Sequence, residues 1–590
     1  MNKIVTFAIF LFISFSAISQ EIEIRVNLAG YLPDLPKKAL ILCKNELKNG
    51  SVALKTTTGT FEKSFPVKLK NTNPWPPFSY EYEIDFSQEK QTGEYYFTVE
   101  NKKSETFKIG KYPAWQEDVV QFMQTQRCGF NAYTGKPCHQ QDGLTFYGHV
   151  EDSTQIDARG GWHDAGDQLK YLITGSNATA RMLQAYLMYP KGFKDFVDSL
   201  AQGTPNGLPD VLDEAIWGLD WIFRLHPTAS SLYHQVADDR DHRGFKLPHE
   251  DEANYGWGQN RFRPVYGATG TPQGLGKYKS KATGIANLAG RSAAAMALGY
   301  QVFKAFPDKK WYASKCLKAA EELYEMGKKQ EGFQQGNSYG APYRYEENTW
   351  ADDMEWAAAE LYKCTGKKEY LKDARRYARL INTWSWMERD TASHYEMYPF
   401  VNMGHFALWQ AGNKNDKKLA IDYYQKNLER IRQKANQNAY GVGHLFIWCS
   451  NNLATAVATQ AILLNKMTKS HDYDDLLQNH TNWLWGLNPW GTSMITEIPE
   501  GKDSPKDVHM PFWILEKKSI KGSLADGPLW SKIHDKMLAI KLSEPDEYAH
   551  LQPDHIKYWD DYQDYSTNEP TMDGSADMIL WLAYMNSEKK

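Results

Sequence analysis

The spacing of apolar residues divides the chain into two unlike parts. Between residues 20 and about 110, short runs rich in β-branched and aromatic residues alternate with clusters of Asn, Gly and Pro. Such runs predict β-strands separated by turns, and several at this spacing predict a small antiparallel sandwich. The strands are expected at 22–26, 39–43, 52–54, 78–84 and 95–99. No catalytic group is evident among these residues, so we expect a supporting or docking role for them.

After residue 112 the apolar positions recur with a helical period. Helices are predicted at 119–126, 169–187, 211–225, 285–305, 311–326, 350–364, 371–381, 405–410, 419–435, 445–464, 473–487 and 576–585. This many helices without a repeat of fixed length favour a barrel of paired helices over a solenoid. The predicted fold is therefore mainly α: an (α/α)6 barrel over 112–587, preceded by the all-β sandwich of 20–110. Several connecting loops are long, and long loops usually carry the function.

The first nineteen residues are typical of a secretory leader. Lys3 supplies the positive end, an apolar stretch follows to residue 15, and Ala17 and Ser19 form a small-x-small cleavage site. The stretch is too short for a membrane span, and no other apolar run is long enough. The leader has no cysteine, so we expect no lipid anchor. The mature protein is predicted to be soluble, and either secreted or periplasmic.

Composition narrows the classes of partner. The formal net charge of −4 on 590 residues gives no reason to expect nucleic acid or an anionic membrane. Aromatic residues make up 14% of the chain, with 20 tryptophans. Their flat side chains suit stacking on sugar rings, although most of them must pack the core. Six cysteines are too few for a disulfide scaffold in a chain of this size. We expect the protein to be a monomer.

Two acidic stretches carry candidate chemistry. Residues 160–167 read GGWHDAGD, which places Asp164 and Asp167 three positions apart in a turn, with Asp167 at or near the N-cap of the next helix. Residues 558–570 are rich in acids and aromatics and lead into the last helix, and Pro570 keeps Glu569 on a loop or first turn. The simpler interpretation is that Asp164 and Asp167 are turn and cap residues and that 558–570 is a solvated acidic loop. The other interpretation is that the two aspartates hold and deprotonate a water molecule.

A family resemblance favours the second interpretation. Residues 160–167 resemble the catalytic-base motif of glycoside hydrolase family 9, and 564–569 (DYSTNE) resemble its acid motif. Segments resembling the family lie between them at 206–221, 241–242, 448–451 and 485–489. The opening at 24–33 resembles the immunoglobulin-like module that precedes the catalytic domain in some bacterial cellulases. The matches follow the family order from residue 24 to about 586.

The resemblance implies an inverting glycosidase. In such an enzyme one carboxylate deprotonates water on one face of the sugar, and a protonated carboxyl donates to the leaving oxygen on the other face. The two groups stand roughly 6.5–9.5 Å apart to leave room for the water. The motifs imply that Asp167 is the base, that Asp164 helps to hold the water, and that Glu569 is the acid. Burial and nearby acids are expected to raise the pKa of Glu569.

The resemblance also implies a metal site beside the aspartates. In several family members a Cys, a Cys-His pair and the histidine before the first catalytic aspartate bind zinc, and Cys128, Cys138, His139 and His163 fill these positions. Two thiolates and two imidazoles would close a tetrahedron, so the zinc would be structural. The alternative is a Cys128–Cys138 disulfide. Calcium is common in the family too, but its candidates here, Asp210, Asp213 and Glu214, are weak because we expect them to be helical surface charges.

One stretch departs from the cellulase pattern. Many family members grip the substrate with a His-His-Arg run, whereas residues 506–511 read KDVHMP, so His509 can replace a histidine but the arginine is missing. The other expected substrate contacts are Trp162, Trp448 and Tyr565. The predicted substrate is β-1,4-linked glucan, with xyloglucan, mixed-linkage glucan, short oligosaccharides and glucosamine-containing chains left open. The rivals are an exo-acting glucosidase or glucosaminidase, a catalytically silent carbohydrate-binding protein, and a polysaccharide lyase on a similar barrel.

Overall fold

The structure is a computed structural model that describes residues 21–70, 73–392 and 400–587. The predicted leader at 1–19 lies outside these ranges. Within them, no helix is both long enough and apolar enough to cross a membrane.

The N-terminal part consists of two antiparallel sheets. Its strands are β1 (Ile22–Arg25), β2 (Lys38–Cys43), β3 (Ser51–Thr56), β4 (Glu62–Pro66), β5 (Lys68–Leu69), β6 (Tyr80–Asp85), β7 (Gly93–Val99), β8 (Lys102–Lys103) and β9 (Phe107–Ile109). One sheet has the order β1-β2-β6-β5 and the other β4-β3-β7-β8, with β9 paired to β7. A single apolar cluster joins the two sheets, which confirms the predicted sandwich. Strand β4 was not predicted, and only Phe65 in it is buried.

The rest of the described chain is mainly helical. The helices are α1 (Trp115–Thr125), α2 (Leu172–Met188), α3 (Asp210–Leu225), α4 (Ala286–Phe303), α5 (Lys310–Lys329), α6 (Ala351–Thr365), α7 (Lys368–Ile381), α8 (Met403–Ala411), α9 (Lys414–Ala435), α10 (Ser450–Thr468), α11 (Asp474–Leu484), α12 (Pro511–Glu516), α13 (Ser531–His534) and α14 (Met572–Asn586). The short strands are β10 (Phe130–Asn131), β11 (Lys136–Pro137), β12 (Asp142–Phe146), β13 (Lys170–Tyr171), β14 (Tyr233–Val236), β15 (Arg263–Gly267), β16 (Leu529–Trp530) and β17 (Ile556–Lys557).

Six inner helices, each packed on an outer partner, form the barrel. The inner helices are α2, α4, α6, α8, α10 and α14, and their respective outer partners are α3, α5, α7, α9, α11 and α1. The inner helices are buried almost all round, whereas outer helices such as α7 bury one face. This arrangement confirms the predicted (α/α)6 barrel.

Two helices begin three or more residues later than their apolar spacing predicts. Helix α2 begins at Leu172 instead of 169, because the two residues before it form β13. Its N-cap is Tyr171, so the prediction of Asp167 as a cap at or near the helix start is wrong. Helix α10 begins at Ser450 instead of 445, because Cys449 has a φ of +58°, which an α-helix does not contain.

A small sheet within the barrel domain fixes the segments that carry the candidate chemistry. Its strand order is β12-β15-β14-β13. Lys170 in β13 lies opposite Val236 in β14. Asp167 therefore precedes one strand of a pair, and His242 follows the other. The sequence analysis did not predict this sheet, because its strands are short and lie among helical segments.

The sandwich packs directly on the barrel through polar and aromatic contacts. The Arg25 guanidinium donates to the Pro489 carbonyl at 2.9 Å, and the Leu28 N–H donates to the Trp485 carbonyl at 2.8 Å. The Trp75 ring lies 4.8 Å from the ring of Tyr440 in the barrel, measured between centroids. These contacts make the sandwich part of one continuous packed structure with the barrel.

Candidate active site

The turn at 160–167 requires glycine at several positions. Gly160 and Gly161 have φ of +96° and +70°, in the left-handed region that favours glycine. A Cβ on Gly161 would also lie 2.4 Å from the Trp221 ring. The turn that presents the two aspartates is thus fixed both by backbone conformation and by packing against α3.

Asp164 is buried, and each of its oxygens accepts a hydrogen bond. Oδ1 accepts from the Thr174 hydroxyl and Oδ2 from the Tyr345 hydroxyl, both at 2.8 Å. Burial and then the charge of Asp167 raise the pKa of Asp164 to about 7. Two hydroxyl donors therefore fix the orientation of this carboxyl, and each oxygen keeps a second lone pair.

Asp167 is more exposed, and it faces a histidine. Its Oδ1 accepts from the Leu169 N–H at 2.8 Å, and its Oδ2 lies 3.3 Å from His242 Nε2. Burial lowers the pKa of His242, but the hydrogen bond and charge of Asp167 outweigh that effect and raise it to about 8. His242 is thus protonated at neutral pH and donates to Asp167.

Glu569 reaches the same turn from the other end of the chain. Its Oε1 accepts from the Gly166 N–H at 2.9 Å, between residues 403 positions apart. A Cβ on Gly166 would lie 2.3 Å from the His509 carbonyl and 3.0 Å from Glu569 Oε1, so this approach requires glycine. Burial, and then the charges of Asp167 and Asp526, raise the pKa of Glu569 well above its usual range. Glu569 lies on a loop before α14, as predicted.

Aromatic side chains form a wall beside Glu569. Ring centroids are 4.8 Å apart for Phe245 and His509, 6.2 Å for His509 and Tyr565, and 5.7 Å for Tyr565 and Trp448. Three of the four residues predicted to contact substrate are therefore neighbours, and all three are partly exposed.

A hydrogen bond to the backbone determines which ring nitrogen of His509 can accept from a ligand. Nδ1 lies 2.6 Å from the Tyr562 carbonyl, which only accepts, so Nδ1 carries the proton and donates. Burial lowers the pKa of His509 to about 4. The imidazole is neutral at neutral pH, and its Nε2 is an acceptor suited to a hydroxyl group.

Trp162 requires a correction. It is 1% exposed, and its indole Nε1 donates to Glu214 Oε1 at 2.6 Å. The ring packs between α2 and α3, where a Cβ on Gly218 would lie 2.4 Å from it. The prediction that Trp162 contacts the substrate is wrong, because no face of the ring reaches the surface.

Several residues around the carboxyls were not predicted. Tyr345 and Thr174 bind Asp164, and His242 binds Asp167. Of these, only His242 lies in a segment that the sequence analysis singled out, at 241–242. Tyr345 and Thr174 carry no local motif, because only the tertiary fold brings them to Asp164.

Asp526 is a further buried carboxyl beside the Glu569 loop. Its Oδ2 accepts from Trp448 Nε1 at 2.8 Å, its Oδ1 accepts from the Cys449 thiol at 3.3 Å, and its N–H donates to the Glu569 carbonyl at 3.1 Å. Burial raises the pKa of Asp526 well above its usual range, although the two donors favour the ionised form. Asp526 also lies outside every motif found in the sequence.

The four predicted metal ligands converge next to the turn. The donor atoms of Cys128, Cys138, His139 and His163 all lie within 4.8 Å of one another, and both cysteines are free thiols. The β10–β11 hairpin returns Cys138 to Cys128, since the Cys138 N–H donates to the Gly129 carbonyl. The Cys128 N–H donates to the Gly161 carbonyl at 2.8 Å, which joins the cluster to the catalytic turn.

The spacing of these atoms fits a tetrahedral ion. Zinc bonds of 2.0–2.3 Å at tetrahedral angles place neighbouring donors about 3.3–3.8 Å apart. His139 Nδ1 lies 3.3 Å from His163 Nε2 and 3.6 Å from Cys128 Sγ. The other nitrogen of His139 lies 3.0 Å from Asp251, the kind of carboxylate that orients a metal-binding histidine.

The calcium candidates do not form a site. Asp210, Asp213 and Glu214 are buried, so the expectation of surface charges is wrong. Glu214 binds Arg127 in a salt bridge of 2.6 Å, Asp213 accepts from an amide, and Asp210 accepts from backbone N–H groups. A second acidic group does converge, formed by Glu347, Asp352 and Asp353, and the Arg291 guanidinium binds Asp353 within it.

Sequence comparisons identify the family of the catalytic part. Residues 112–582 match Glycosyl hydrolase family 9. The chain belongs to glycosyl hydrolase family 9. Residues 19–104 match the family described as Cellulase N-terminal ig-like domain. Family 9 membership makes the chain a glycoside hydrolase, as the carboxylate motifs predicted.

Individual relatives cover almost the whole chain. Endoglucanase D of Acetivibrio thermocellus is 25% identical over 95% of this chain and 83% of its own length. A cellodextrinase of Butyrivibrio fibrisolvens is 23% identical over 95% of this chain and 99% of its own. The crystal structure of a metagenome-derived family 9 endoglucanase superimposes with a TM-score of 0.75, at 25% identity over 96% of this chain and 99% of that one. A Zn-binding triple mutant of the family 9 endoglucanase J30 superimposes with a TM-score of 0.74, at 25% identity over 95% of this chain and 100% of that one.

Proposed function

We propose that this glycoside hydrolase cleaves β-1,4-linked glucan with inversion, with Asp167 as base, Asp164 as the group that holds water, and Glu569 as acid. The observation that carries the proposal is the bond from Gly166 to Glu569, because it brings the acid loop to the residue between the two aspartates. The relatives named endoglucanase and cellodextrinase support a β-1,4-glucan as the substrate.

The two aspartates have different roles toward the attacking water. Asp164 is held by the hydroxyls of Thr174 and Tyr345, so its remaining lone pairs point in a fixed direction and accept from the attacking water. Asp167 takes the proton of that water as the oxygen attacks the anomeric carbon. His242 Nε2, 3.3 Å from Asp167 Oδ2, holds the base in place for this transfer.

On the leaving-group side, Glu569 supplies a proton. Burial and the neighbouring acids raise its pKa and favour the protonated carboxyl, which donates to the glycosidic oxygen as the bond breaks. His509 accepts from a sugar hydroxyl through Nε2, and the rings of Trp448 and Tyr565 contact the sugar faces. After the reaction Asp167 is protonated and Glu569 is ionised, and exchange with solvent restores both.

The cysteine and histidine cluster is proposed to hold structural zinc. Four protein donors complete the tetrahedron, so the ion has no open position for substrate. Cys128 and His163 are the ligands nearest the turn, and through them the ion would fix the backbone on which Asp164 lies. When bound, zinc supplies folding energy to this part of the chain.

Location and assembly follow as further proposals. The leader-like first nineteen residues support export to the periplasm or medium, and we propose that the mature enzyme is a monomer. Gel filtration with light scattering tests the assembly, and N-terminal sequencing of the exported protein tests cleavage after Ser19.

One experiment tests the reaction. The purified protein is incubated with soluble β-1,4-glucan, mixed-linkage glucan, xyloglucan and chitosan, and the first products are followed by proton NMR and sized. The expected result is soluble β-1,4-glucan cleaved within the chain, with the α-anomer formed first. A first-formed β-anomer would contradict inversion.

The same panel separates the rival functions. Release of only one short product from chain ends indicates an exo-acting enzyme. Release of glucosamine units from chitosan indicates a glucosaminidase.

A further inference from the structure

Two surface segments meet above the aspartates. The first is the 238–242 turn, which follows β14 and ends at His242. The second is the 336–345 loop, which ends at Tyr345. His242 binds Asp167 and Tyr345 binds Asp164, so the last residue of each segment contacts one of the two carboxyls. The relative position of the segments therefore affects both aspartates at once.

We propose that Asp239 is a positioning residue for the reaction: it clamps the 336–345 loop to the 238–242 turn and so holds Tyr345 on Asp164. This inference rests on the proposed function.

The clamp consists of three successive backbone donors. Asp239 Oδ2 accepts from the N–H groups of Gly340 at 2.6 Å and Ala341 at 2.8 Å, and Oδ1 accepts from the N–H of Tyr339. Hydrogen bonds from N–H groups to a carboxylate are roughly twice as strong as neutral ones. One side chain thus accepts hydrogen bonds from three loop N–H groups that do not belong to a helix or strand.

Neighbouring residues of the turn extend the contact. The Arg240 guanidinium lies over the Tyr339 ring at 4.3 Å, and the His242 ring lies 4.8 Å from that of Tyr343. Asp241 Oδ2 accepts from the Gln168 N–H at 2.6 Å, which ties the turn to the residue after Asp167. The turn therefore also touches the loop through two side chains that follow Asp239, those of Arg240 and His242.

The base of the loop is held independently of Asp239. The Gln235 side chain accepts from the Asn337 N–H at 2.6 Å and donates to its carbonyl at 3.0 Å. Replacing Asp239 therefore releases residues 339–344, which lie between the base of the loop and Tyr345. The Gly336 N–H donates to the Tyr345 carbonyl at 3.0 Å, so the backbone of Tyr345 stays at the base. The released residues affect the position of the Tyr345 side chain, whose hydroxyl fixes Asp164. The effect of Asp239 on the reaction is expected to pass through this hydroxyl.

A double-mutant cycle tests the proposal. We compare kcat/KM of the wild type, Asp239→Ala, Tyr345→Phe and the double variant on a soluble β-glucan that the wild type cleaves. Each single variant is expected to lose roughly 10- to 100-fold, since small misplacements of catalytic groups have effects of this size. The double variant is expected to be no slower than the slower single variant, because both changes remove the same constraint. Asp239→Asn replaces Asp239→Ala in the cycle if the alanine variant does not fold.

Asp195→Ala is the matched control. Asp195 also binds two successive N–H groups of a loop, those of Asn206 at 3.1 Å and Gly207 at 2.6 Å, and its loss removes the same charge. It should keep the wild-type rate. Losses that multiply in the double variant, or a wild-type rate in a folded Asp239 variant, would overturn the inference. A wild type inactive on every β-glucan would instead contradict the proposed function itself.

Discussion

Opposing influences act on the protonation of Glu569. The Gly166 N–H favours its ionised form, whereas burial and the charges of Asp167 and Asp526 favour its protonated form. The second group of influences prevails, which is what a general acid at neutral pH requires. The hydrogen bond then fixes where the carboxyl sits rather than whether it is charged.

Replacing Glu569 should affect substrates according to their leaving group. Glu569→Ala is expected to lower kcat on a natural glucan by roughly 10²- to 10⁴-fold, because the departing alcohol needs a proton. It should affect an aryl glycoside with an acidic phenol much less, because that phenolate leaves without help. Steady-state rates on the two substrates provide the measurement. Glu544→Ala, an exposed acid nearby in the fold, is the control. Equal losses on both substrates would remove Glu569 from the acid role.

Asp526 leads to a prediction about pH. The alkaline limb of kcat/KM reports the loss of the proton from the acid in the free enzyme. The groups acting on Glu569 include Asp164 and Asp167 from the catalytic turn and Asp526 from the segment beside the Glu569 loop. Once Asp526 is ionised, its negative charge opposes the loss of the proton from Glu569. Asp526→Asn removes that charge, so it should lower the pKa of Glu569 and move the alkaline limb to lower pH by roughly half a unit to one unit.

The control for this prediction is another buried carboxyl. Glu81 in the sandwich is 1% exposed and accepts from the Trp75 N–H. Glu81→Gln removes a buried acid of similar environment without approaching Glu569, so its pH profile should match the wild type. An unchanged alkaline limb in Asp526→Asn would show that Asp526 is uncharged in the working enzyme.

At the scale of elements, the β10–β11 hairpin determines the metal cluster. It brings Cys138 and His139 back to Cys128, while backbone bonds bring His163 to the same place. Burial raises the pKa of the Cys128 thiol, but the Cys138 thiol and nearby positive groups outweigh this and hold it well below its usual range. A thiolate is thus already favoured where zinc requires one.

Loss of one zinc ligand should lower thermal stability more than it lowers kcat. Cys138→Ser is expected to reduce bound zinc from about one equivalent to a small fraction and to lower Tm by several degrees, because structural zinc contributes folding energy. The kcat of the folded fraction should fall much less than in Asp167→Ala. Metal analysis and thermal unfolding provide the measurements, with Cys316→Ser, a buried cysteine away from the cluster, as control. Wild-type protein without metal and with a Cys128–Cys138 disulfide would contradict the zinc proposal.

At the scale of the whole molecule, one tryptophan of the sandwich packs against several rings of the barrel. Besides Tyr440, the Trp75 ring contacts the rings of Phe446, Trp483 and His555, with centroids 4.6–6.1 Å apart. None of the residues named in the active site lies in the sandwich. The sandwich is therefore expected to support the barrel without taking part in sugar recognition.

Trp75→Ala tests whether the sandwich stabilises the barrel or takes part in binding the sugar. Truncating a packed tryptophan is expected to lower the free energy of unfolding by about 2–3 kcal/mol, while KM and kcat stay near the wild-type values. Trp311→Ala is the matched control, since Trp311 is 68% exposed and its loss should change stability little. A raised KM with unchanged stability in Trp75→Ala would mean that the sandwich contacts substrate.

The sequence by itself determined the architecture. Period-2 and period-3.6 spacing are local properties of the chain, so they predicted the sandwich and most of the barrel helices correctly. The motifs at 160–167 and 564–569, and the four cysteines and histidines, were recognisable because each depends on residues close together in sequence. Helix ends were less certain, since α10 begins where the left-handed conformation of Cys449 allows it.

Only the tertiary structure decided which residues surround the carboxyls. Tyr345 reaches Asp164 from 181 positions away. His242 reaches Asp167 from 75 positions away, beside a sheet whose strands are too short to be recognised in the sequence. Trp162, although it lies inside the motif, points into the core instead of the cleft. The direction of a side chain depends on what packs around it, and that packing is formed by distant segments. Local sequence therefore specified the elements and motifs, and long-range packing specified the site.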